Sequence, residues 1–116
     1  MALTITSRDV DGVTIVTLQG DIVLGDESRT LRDKMKDLLD EDRKKLILDM
    51  SELSFIDSSG LGALVGIHHS ANASGASLRL CNLGAKFKEL LRITGLLSVF
   101  NVSSNEVEAM QCFAKT

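Results

Sequence analysis

The chain has 116 residues and a formal net charge of −3, with 44% hydrophobic and 25% charged residues. This length predicts a single domain over residues 1–116, and the composition is that of a globular chain rather than a disordered or membrane-spanning one. The acidic balance and the absence of Trp and Tyr give no reason to expect a nucleic-acid backbone or an anionic membrane as partner.

The first twenty residues predict a β-hairpin. Leu3 and Ile5, and then the apolar residues of 13–18, alternate with polar ones, and the segment 9–12 suits a reversing turn. This alternation differs from the charged-then-apolar pattern of a signal peptide, and no apolar run approaches the roughly 20 residues that cross a bilayer. We therefore expect a cytoplasmic protein without direct membrane contact.

Beyond the hairpin, the apolar residues switch repeatedly between the period of helices and that of strands. Residues 26–41 predict a helix, with Asp26 or Ser28 available as its N-cap. The nearly continuous aliphatic run at 46–50 predicts a buried strand of a parallel sheet. Residues 59–73, rich in Leu, Ala and Val, predict a second helix.

The last third of the chain predicts the remaining elements. Residues 78–83 favour a strand and residues 87–91 a third helix, with Gly95 expected in a left-handed conformation at its end. Residues 99–102 favour a last strand. Cys81 and Cys112 are too few for a disulfide framework, so we expect two reduced thiols without a role.

A terminal helix completes the pattern. Ser103 and Glu106 have the spacing of a capping box, and Val107, Met110 and Phe113 are expected to form the buried stripe. The resulting order, β-β-α-β-α-β-α-β-α, predicts an α/β fold with one mixed sheet of four to five strands and about four helices.

Residues 55–62, FIDSSGLG, lie at the junction between the predicted central strand and the second helix. This is the carboxyl edge of the sheet, where open α/β folds place their sites. Asp57 or Ser58 can cap the helix, which is worth about 1 kcal/mol, and Gly60 and Gly62 can permit close packing. A helix amino terminus also tolerates a phosphate, so from spacing alone a helix cap and a phosphoserine switch both stay open.

The same residues do not form a recognisable catalytic site. The Gly-x-Ser-x-Gly elbow of serine hydrolases is absent, because Ile56 stands where its first glycine would be. His68 follows Ser58 by ten residues on one predicted helix, about 15 Å away, which is too far for a base. His68 and the adjacent His69 are expected at the surface or its rim. With no P-loop lysine and no receiver-type acidic pair, we predict no enzyme, no metal and no cofactor.

Residues 48–66, LDMSELSFIDSSGLGALVG, resemble the signature segment of the STAS domain, which anti-sigma factor antagonists share with the cytoplasmic tails of sulfate transporters. The closer resemblance is to the free-standing bacterial antagonists. It covers nearly the whole chain, since residues 20–22 resemble the family's early glycine-acid motif and residues 80–82 and 89–100 its closing strand-helix-strand. Val23 departs from the pattern, because family members often carry a second acid there.

The resemblance implies a phosphorylation-controlled switch. In that family the serine directly after the motif aspartate, here Ser58, is phosphorylated by an anti-sigma factor that is an ATP-dependent serine kinase; Ser59 is the alternative acceptor. The unphosphorylated antagonist binds the kinase and frees a sigma factor, the phosphorylated form lets go, and a PP2C-type serine phosphatase resets it.

The resemblance also implies the partner-binding residues. Asp57 would orient the site, Gly60 and Leu61 would shape the contact surface, and Asp21 would contribute from the early motif. The domain is expected to be a monomer or a weak dimer. A second function stays open: a constitutive scaffold, in a signalling assembly or associated with a transporter, in which Ser58 only caps its helix.

Overall fold

The computed structural model describes residues 3–23 and 25–114, so the ends of the predicted domain, residues 1–2 and 115–116, lie outside the described residues. The elements follow the predicted order and confirm the α/β fold. They are β1 (Thr4–Val10), β2 (Val13–Ile22), α1 (Asp26–Asp40), β3 (Lys45–Ile56), α2 (Ser58–Ala73), β4 (Ser77–Cys81), α3 (Ala85–Ile93), β5 (Asn101–Ser103) and α4 (Glu106–Ala114).

The five strands form one mixed sheet in the order β1-β2-β3-β4-β5. β1 is antiparallel to β2, whereas β2, β3, β4 and β5 run parallel to one another. The hairpin turn is the pair Asp11-Gly12, with φ of 51° and 81°. Positive φ at both residues matches the right-handed twist of the flanking strands, which explains the acid-glycine pair.

Helices cover both faces of the sheet. On one face, α1, α2 and α3 pack over the larger core, to which Leu46 and Leu48 of β3 contribute. On the other face, α4 packs Ala109 and Phe113 against a smaller core that contains Ile47. Because successive strand residues point to opposite faces, burial on both faces requires the continuous aliphatic run of β3.

The carboxyl end of α3 confirms the role predicted for Gly95. Its φ is 75°, in the region that glycine enters without steric cost. The Gly95 N–H donates to the Arg92 carbonyl at 3.2 Å and the Leu96 N–H to the Leu91 carbonyl at 2.8 Å. These two bonds make a Schellman motif, which satisfies carbonyls that the helix leaves unpaired.

Both predicted capping arrangements at α1 and α4 are wrong. Gly25 occupies the N-cap of α1 without a side-chain bond, and the Ser28 hydroxyl instead donates to the Val23 carbonyl at 2.6 Å. At α4, Asn105 Oδ1 accepts the Glu108 N–H at 2.8 Å, and Glu108 Oε1 accepts the Ser104 N–H at 3.1 Å. The capping expected of Ser103 and Glu106 is therefore performed by Asn105 and Glu108, and the Glu108 side chain bonds to Ser104 rather than back to Asn105.

Two element boundaries and one buried stripe also differ from the prediction. β3 continues to Ile56 rather than ending at Met50, because β2 stays paired with it that far. β5 is only three residues, and it begins after Phe100. On α4, Val107 is 67% exposed, so the buried stripe consists of Ala109 and Phe113.

Within residues 3–23 and 25–114, no helix is both long enough and apolar enough to cross a membrane.

Candidate functional site

The junction predicted to carry function lies at the carboxyl end of β3, the central strand of the sheet. β3 ends at Ile56 and α2 begins at Ser58, so Asp57 alone connects the two. The Asp57 N–H donates to the Ile22 carbonyl at 3.1 Å, which continues the β2–β3 ladder by one bond into the turn. The start of α2 is therefore anchored directly to the sheet.

Asp57 is the N-cap of α2. Its backbone is extended, with φ −100° and ψ −176°, and its Oδ1 accepts the Gly60 N–H at 2.8 Å. This bond satisfies one of the amide hydrogens that the first turn leaves unpaired. Of the two predicted candidates, the aspartate performs the capping and the serine does not.

Ser58 is the first residue of α2, and it is an exposed residue. Within the described residues, the Ser58 hydroxyl makes no hydrogen bond. The neighbouring Ser59 is half-buried. The more accessible of the two serines is thus the one that the sequence pattern singled out.

Gly60 and Leu61 lie below the surface. Leu61 is 8% exposed and belongs to the larger core. A Cβ built on Gly60 would stand 2.3 Å from the Ile22 carbonyl oxygen and 2.8 Å from side-chain carbons of Ile22 and Ile56. Only glycine lets α2 approach β2 and β3 this closely. Gly60 and Leu61 therefore shape the surface indirectly, because they set how closely α2 packs on the sheet.

Asp21 is brought next to the junction from β2. It pairs with Phe55 in the β2–β3 ladder, directly after a register shift between Gly20 and Asp21. Gly20 has φ 109°, which an L-residue rarely adopts. The register shift changes the direction of the end of β2, as β-bulges next to functional sites do. Asp21 is half-buried.

The histidines lie away from this junction. His68 is 6% exposed and stacks edge-on against Phe100 with ring centroids 5.3 Å apart, so its predicted surface position is wrong. His69 is exposed, as expected. Burial, and then the charge of His69, lower the pKa of His68. Among the described residues, no group of three or more His, Cys, Asp or Glu side chains could hold a metal ion.

One feature of the region was missed by the sequence prediction. Phe55 is 56% exposed and lines a groove of about 520 Å³ between the end of β3 and the start of α3. Adjacent residues of a strand face opposite sides, so the exposure of Phe55 beside the buried Ile56 could be expected only once β3 was known to extend to Ile56.

Comparisons with known proteins identify relatives of this chain. The STAS domain family matches residues 4–109. An anti-sigma F factor antagonist of Paenibacillus polymyxa is 30% identical over 111 residues, which cover 95% of this chain and 94% of that protein.

Two solved structures resemble the fold. The crystal structure of an anti-sigma factor antagonist from Mycobacterium paratuberculosis superposes with a TM-score of 0.82 at 20% identity, and the match covers 96% of this chain and 93% of that one. A murine Solute Carrier 26 family anion transporter superposes with a TM-score of 0.80 at 25% identity, over 94% of this chain and 19% of the transporter.

Proposed function

The chain belongs to the STAS domain family, and from this membership we propose that it is an anti-sigma factor antagonist whose binding is switched at Ser58. Without phosphate, it binds an anti-sigma factor that is also an ATP-dependent serine kinase, and the bound kinase releases its sigma factor. With phosphate on Ser58, it dissociates, and a PP2C-type phosphatase restores the hydroxyl. The chain acts as a cytoplasmic binding protein and is not an enzyme.

The observation that carries the proposal is the division of roles between Asp57 and Ser58. Asp57 Oδ1 accepts the Gly60 N–H at 2.8 Å and so caps α2. Ser58 is an exposed residue and, among the described residues, its hydroxyl has no hydrogen bond to give up. A serine retained only as a cap would hold a first-turn amide hydrogen instead. Ser58 is therefore free to enter the active site of a kinase.

The phosphoryl transfer needs no catalytic group from this chain. The Ser58 Oγ attacks the γ-phosphorus of ATP, the bond from that phosphorus to the β–γ bridging oxygen breaks, and ADP leaves. The hydroxyl proton passes to a base of the kinase. This assignment agrees with the position of His68, which is buried against Phe100 and ten residues along α2.

A phosphate on Ser58 changes the surface more than the fold. It adds about −1.5 to −2 charge beside Asp57, on a chain whose net charge is already −3. The positive end of α2 partly offsets this charge, and Ser58 is an exposed residue rather than part of the core. The expected result is repulsion of the partner without unfolding of the domain.

Phosphorylation in vitro tests the proposal. The chain is incubated with ATP, Mg²⁺ and purified anti-sigma factor kinases from the same genome, and its intact mass is measured. We expect a gain of one phosphate, which Ser58→Ala abolishes and Ser59→Ala retains. Loss of the gain in Ser59→Ala alone would move the acceptor to Ser59. No gain with any kinase would overturn the switch.

Binding measurements then test the consequence of the phosphate. Ser58→Asp is expected to weaken binding of the kinase at least tenfold relative to the unmodified chain, while its melting temperature stays close to that of the parent. Equal binding by the unmodified chain, Ser58→Ala and Ser58→Asp would instead favour a constitutive scaffold.

The scaffold is the second candidate because the transporter structure contains a domain of this fold. In that case the chain would hold a larger assembly together through the same surface, irrespective of modification at Ser58. The pair of experiments above separates the two functions, since only the switch predicts a phosphate-dependent affinity.

A further inference from the structure

The carboxyl-terminal half of β3 is paired along one edge only. The ladder between β3 and β4 runs from Lys45 opposite Ser77 to Asp49 opposite Cys81. On its other edge, β3 remains paired with β2 as far as Ile56. Within the described residues, no backbone hydrogen bond joins 50–56 to the segment that follows β4. Such an edge is a template on which another strand can pair.

Asp49 marks the point at which β4 leaves β3. Its Oδ1 accepts the Ser51 N–H at 3.0 Å and the Asn82 side-chain amide at 3.0 Å. Asn82 has φ 58°, a left-handed conformation that turns the chain out of the strand. The chain then enters α3 at Ala85. The open edge of β3 and the first turn of α3 are thereby held apart by a fixed junction.

The space between them is the groove of about 520 Å³. Its lining is mainly apolar and includes Leu53 and Phe55 of β3 and Phe87 and Leu90 of α3. Phe55 is 56% exposed. A large exposed aromatic beside an open strand edge is the combination that extended-peptide sites use, because the edge supplies backbone bonds and the pocket accepts alternate side chains.

The charge of the groove indicates the chemistry of the occupant. Lys86 is the one charged residue among the described residues that line it. The first turn of α3, where Lys86 lies, has no side-chain cap hydrogen bond from Gly84, so its amide hydrogens add partial positive charge. On a chain with net charge −3, this local positive end favours an acidic side chain.

We propose that an extended segment of the anti-sigma factor kinase adds as a strand to the open edge of β3 at residues 51–56. One apolar side chain of that segment enters the groove against Phe55, and an acidic side chain next to it faces Lys86 and the start of α3. This inference rests on the proposed function and names the contact by which the kinase is held beside Ser58.

The location couples this contact to the switch. Ser58 follows Phe55 by three residues, so their Cα atoms lie within about 11 Å of each other at the reach of an extended chain. The Debye length at physiological salt is about 8 Å, so a phosphate dianion on Ser58 and an acidic side chain docked beside Phe55 are expected to be only partly screened from each other. The docked segment and the phosphate repel each other, and this repulsion releases the kinase.

Binding of two matched pairs of variants tests the proposal, with the kinase that phosphorylates Ser58 as the probe. Phe55→Ala is expected to weaken binding about tenfold or more, as central aromatic anchors do, whereas Val107→Ala, at an exposed apolar residue of α4 that does not line the groove, leaves it unchanged. Lys86→Glu is expected to weaken binding about fivefold or more, whereas Lys88→Glu, which does not line the groove, changes it less than twofold.

Hydrogen exchange of the complex tests strand addition itself. Those amides of residues 52–56 that do not bond to β2 are expected to exchange at least tenfold more slowly when the kinase is bound, with the amides of α4 unchanged as the internal control. Unfolding curves of each variant exclude loss of the fold as the cause of weak binding.

The outcomes separate this inference from the proposed function. If the kinase phosphorylates Ser58 but binds Phe55→Ala and Lys86→Glu as tightly as the parent, the proposed binding role of the groove is wrong. The proposed phosphorylation switch at Ser58 is then unaffected. Weak binding by both variants with unchanged exchange at those amides of 52–56 overturns strand addition. A kinase that neither binds nor phosphorylates the parent chain overturns both proposals.

Discussion

Gly60 lies directly beneath Ile22, so close that a methyl group on Gly60 would stand 2.3 Å from the Ile22 carbonyl oxygen. The obstruction is backbone and cannot rotate away. The position of α2 therefore depends on the lack of a side chain at Gly60. The orientation of Ser58 toward solvent depends on the same residue.

Gly60→Ala is expected to destabilise the domain by about 1–3 kcal/mol, because α2 must shift away from the sheet. Gly62→Ala is the matched control, since a Cβ there meets nothing within 4 Å. It is expected to stabilise by about 0.5–1 kcal/mol, as alanine replaces glycine inside a helix. Urea unfolding measures both. Equal effects of the two substitutions would contradict the close approach.

Asp57→Ala is expected to lower the free energy of unfolding by about 1 kcal/mol or more, because the Gly60 N–H loses its acceptor. Asp57→Asn should stay close to the parent, since asparagine caps as well as aspartate. Ser58→Ala should change the stability by less than about 0.5 kcal/mol, as exposed substitutions do. A cost at Ser58 equal to that at Asp57 would show that the hydroxyl also caps the helix.

The stability of the domain is expected to fall as the pH drops below 6.5, the ordinary pKa of histidine, through the range in which His68 titrates. Burial lowers the pKa of His68 in the folded chain, so the unfolded chain binds the proton more tightly. Acid therefore stabilises the unfolded chain relative to the folded one. Within the described residues, His68 Nδ1 has no hydrogen-bond partner to compensate.

Urea unfolding at pH 7.5 and pH 5 measures this dependence. His68→Phe keeps a ring against Phe100 and should reduce the pH dependence, whereas His69→Gln, at an exposed position, should largely retain it. An identical pH dependence in the parent and in His68→Phe would contradict the assignment.

Cys81 is expected to resist alkylation in the folded protein. Burial, with smaller contributions from Asp49 and Glu106, raises the pKa of Cys81 to about 12, and only the thiolate reacts. Cys112 is half-buried and should react first. Iodoacetamide at pH 8, followed by peptide mass analysis with and without urea, measures the difference. Rapid modification of Cys81 without urea would show that the core at α4 opens readily.

The order of elements could be predicted because it depends on the hydrophobic period. The run at 46–50 and the apolar stripes of the helices each mark a face that must be buried, and their periods identify the elements. The Asp-Gly pair at 11–12 and Gly95 were predictable for the same kind of reason, since each supplies a positive φ that its turn requires.

The capping residues could not be predicted from type alone. Ser28 and Ser103 are suitable caps, but each is buried and bonds elsewhere: Ser28 to the Val23 carbonyl and Ser103 to the guanidinium of Arg79. Tertiary contacts decide which of several suitable side chains caps a helix, and the sequence pattern does not show these contacts. The same limit applied to Asp57 and Ser58, where spacing allowed either.

The carboxyl end of β3 also could not be predicted from the sequence pattern. Residues 51–54 are mostly polar and exposed, so their period gives no strand signal, yet pairing with β2 holds them extended. The exposed Phe55 and the groove beside it follow from that extension. Long-range pairing, rather than local preference, therefore creates the part of the site that was missed.

Every strand after β1 pairs with the strand that precedes it in the chain. A polypeptide leaving the ribosome can therefore add each strand to a partner that has already been made. The contacts that position Ser58, from Ile22 to Gly60, involve no residue beyond α2. We expect the acceptor site to take shape once α2 has left the ribosome, before β5 and α4 have joined the domain.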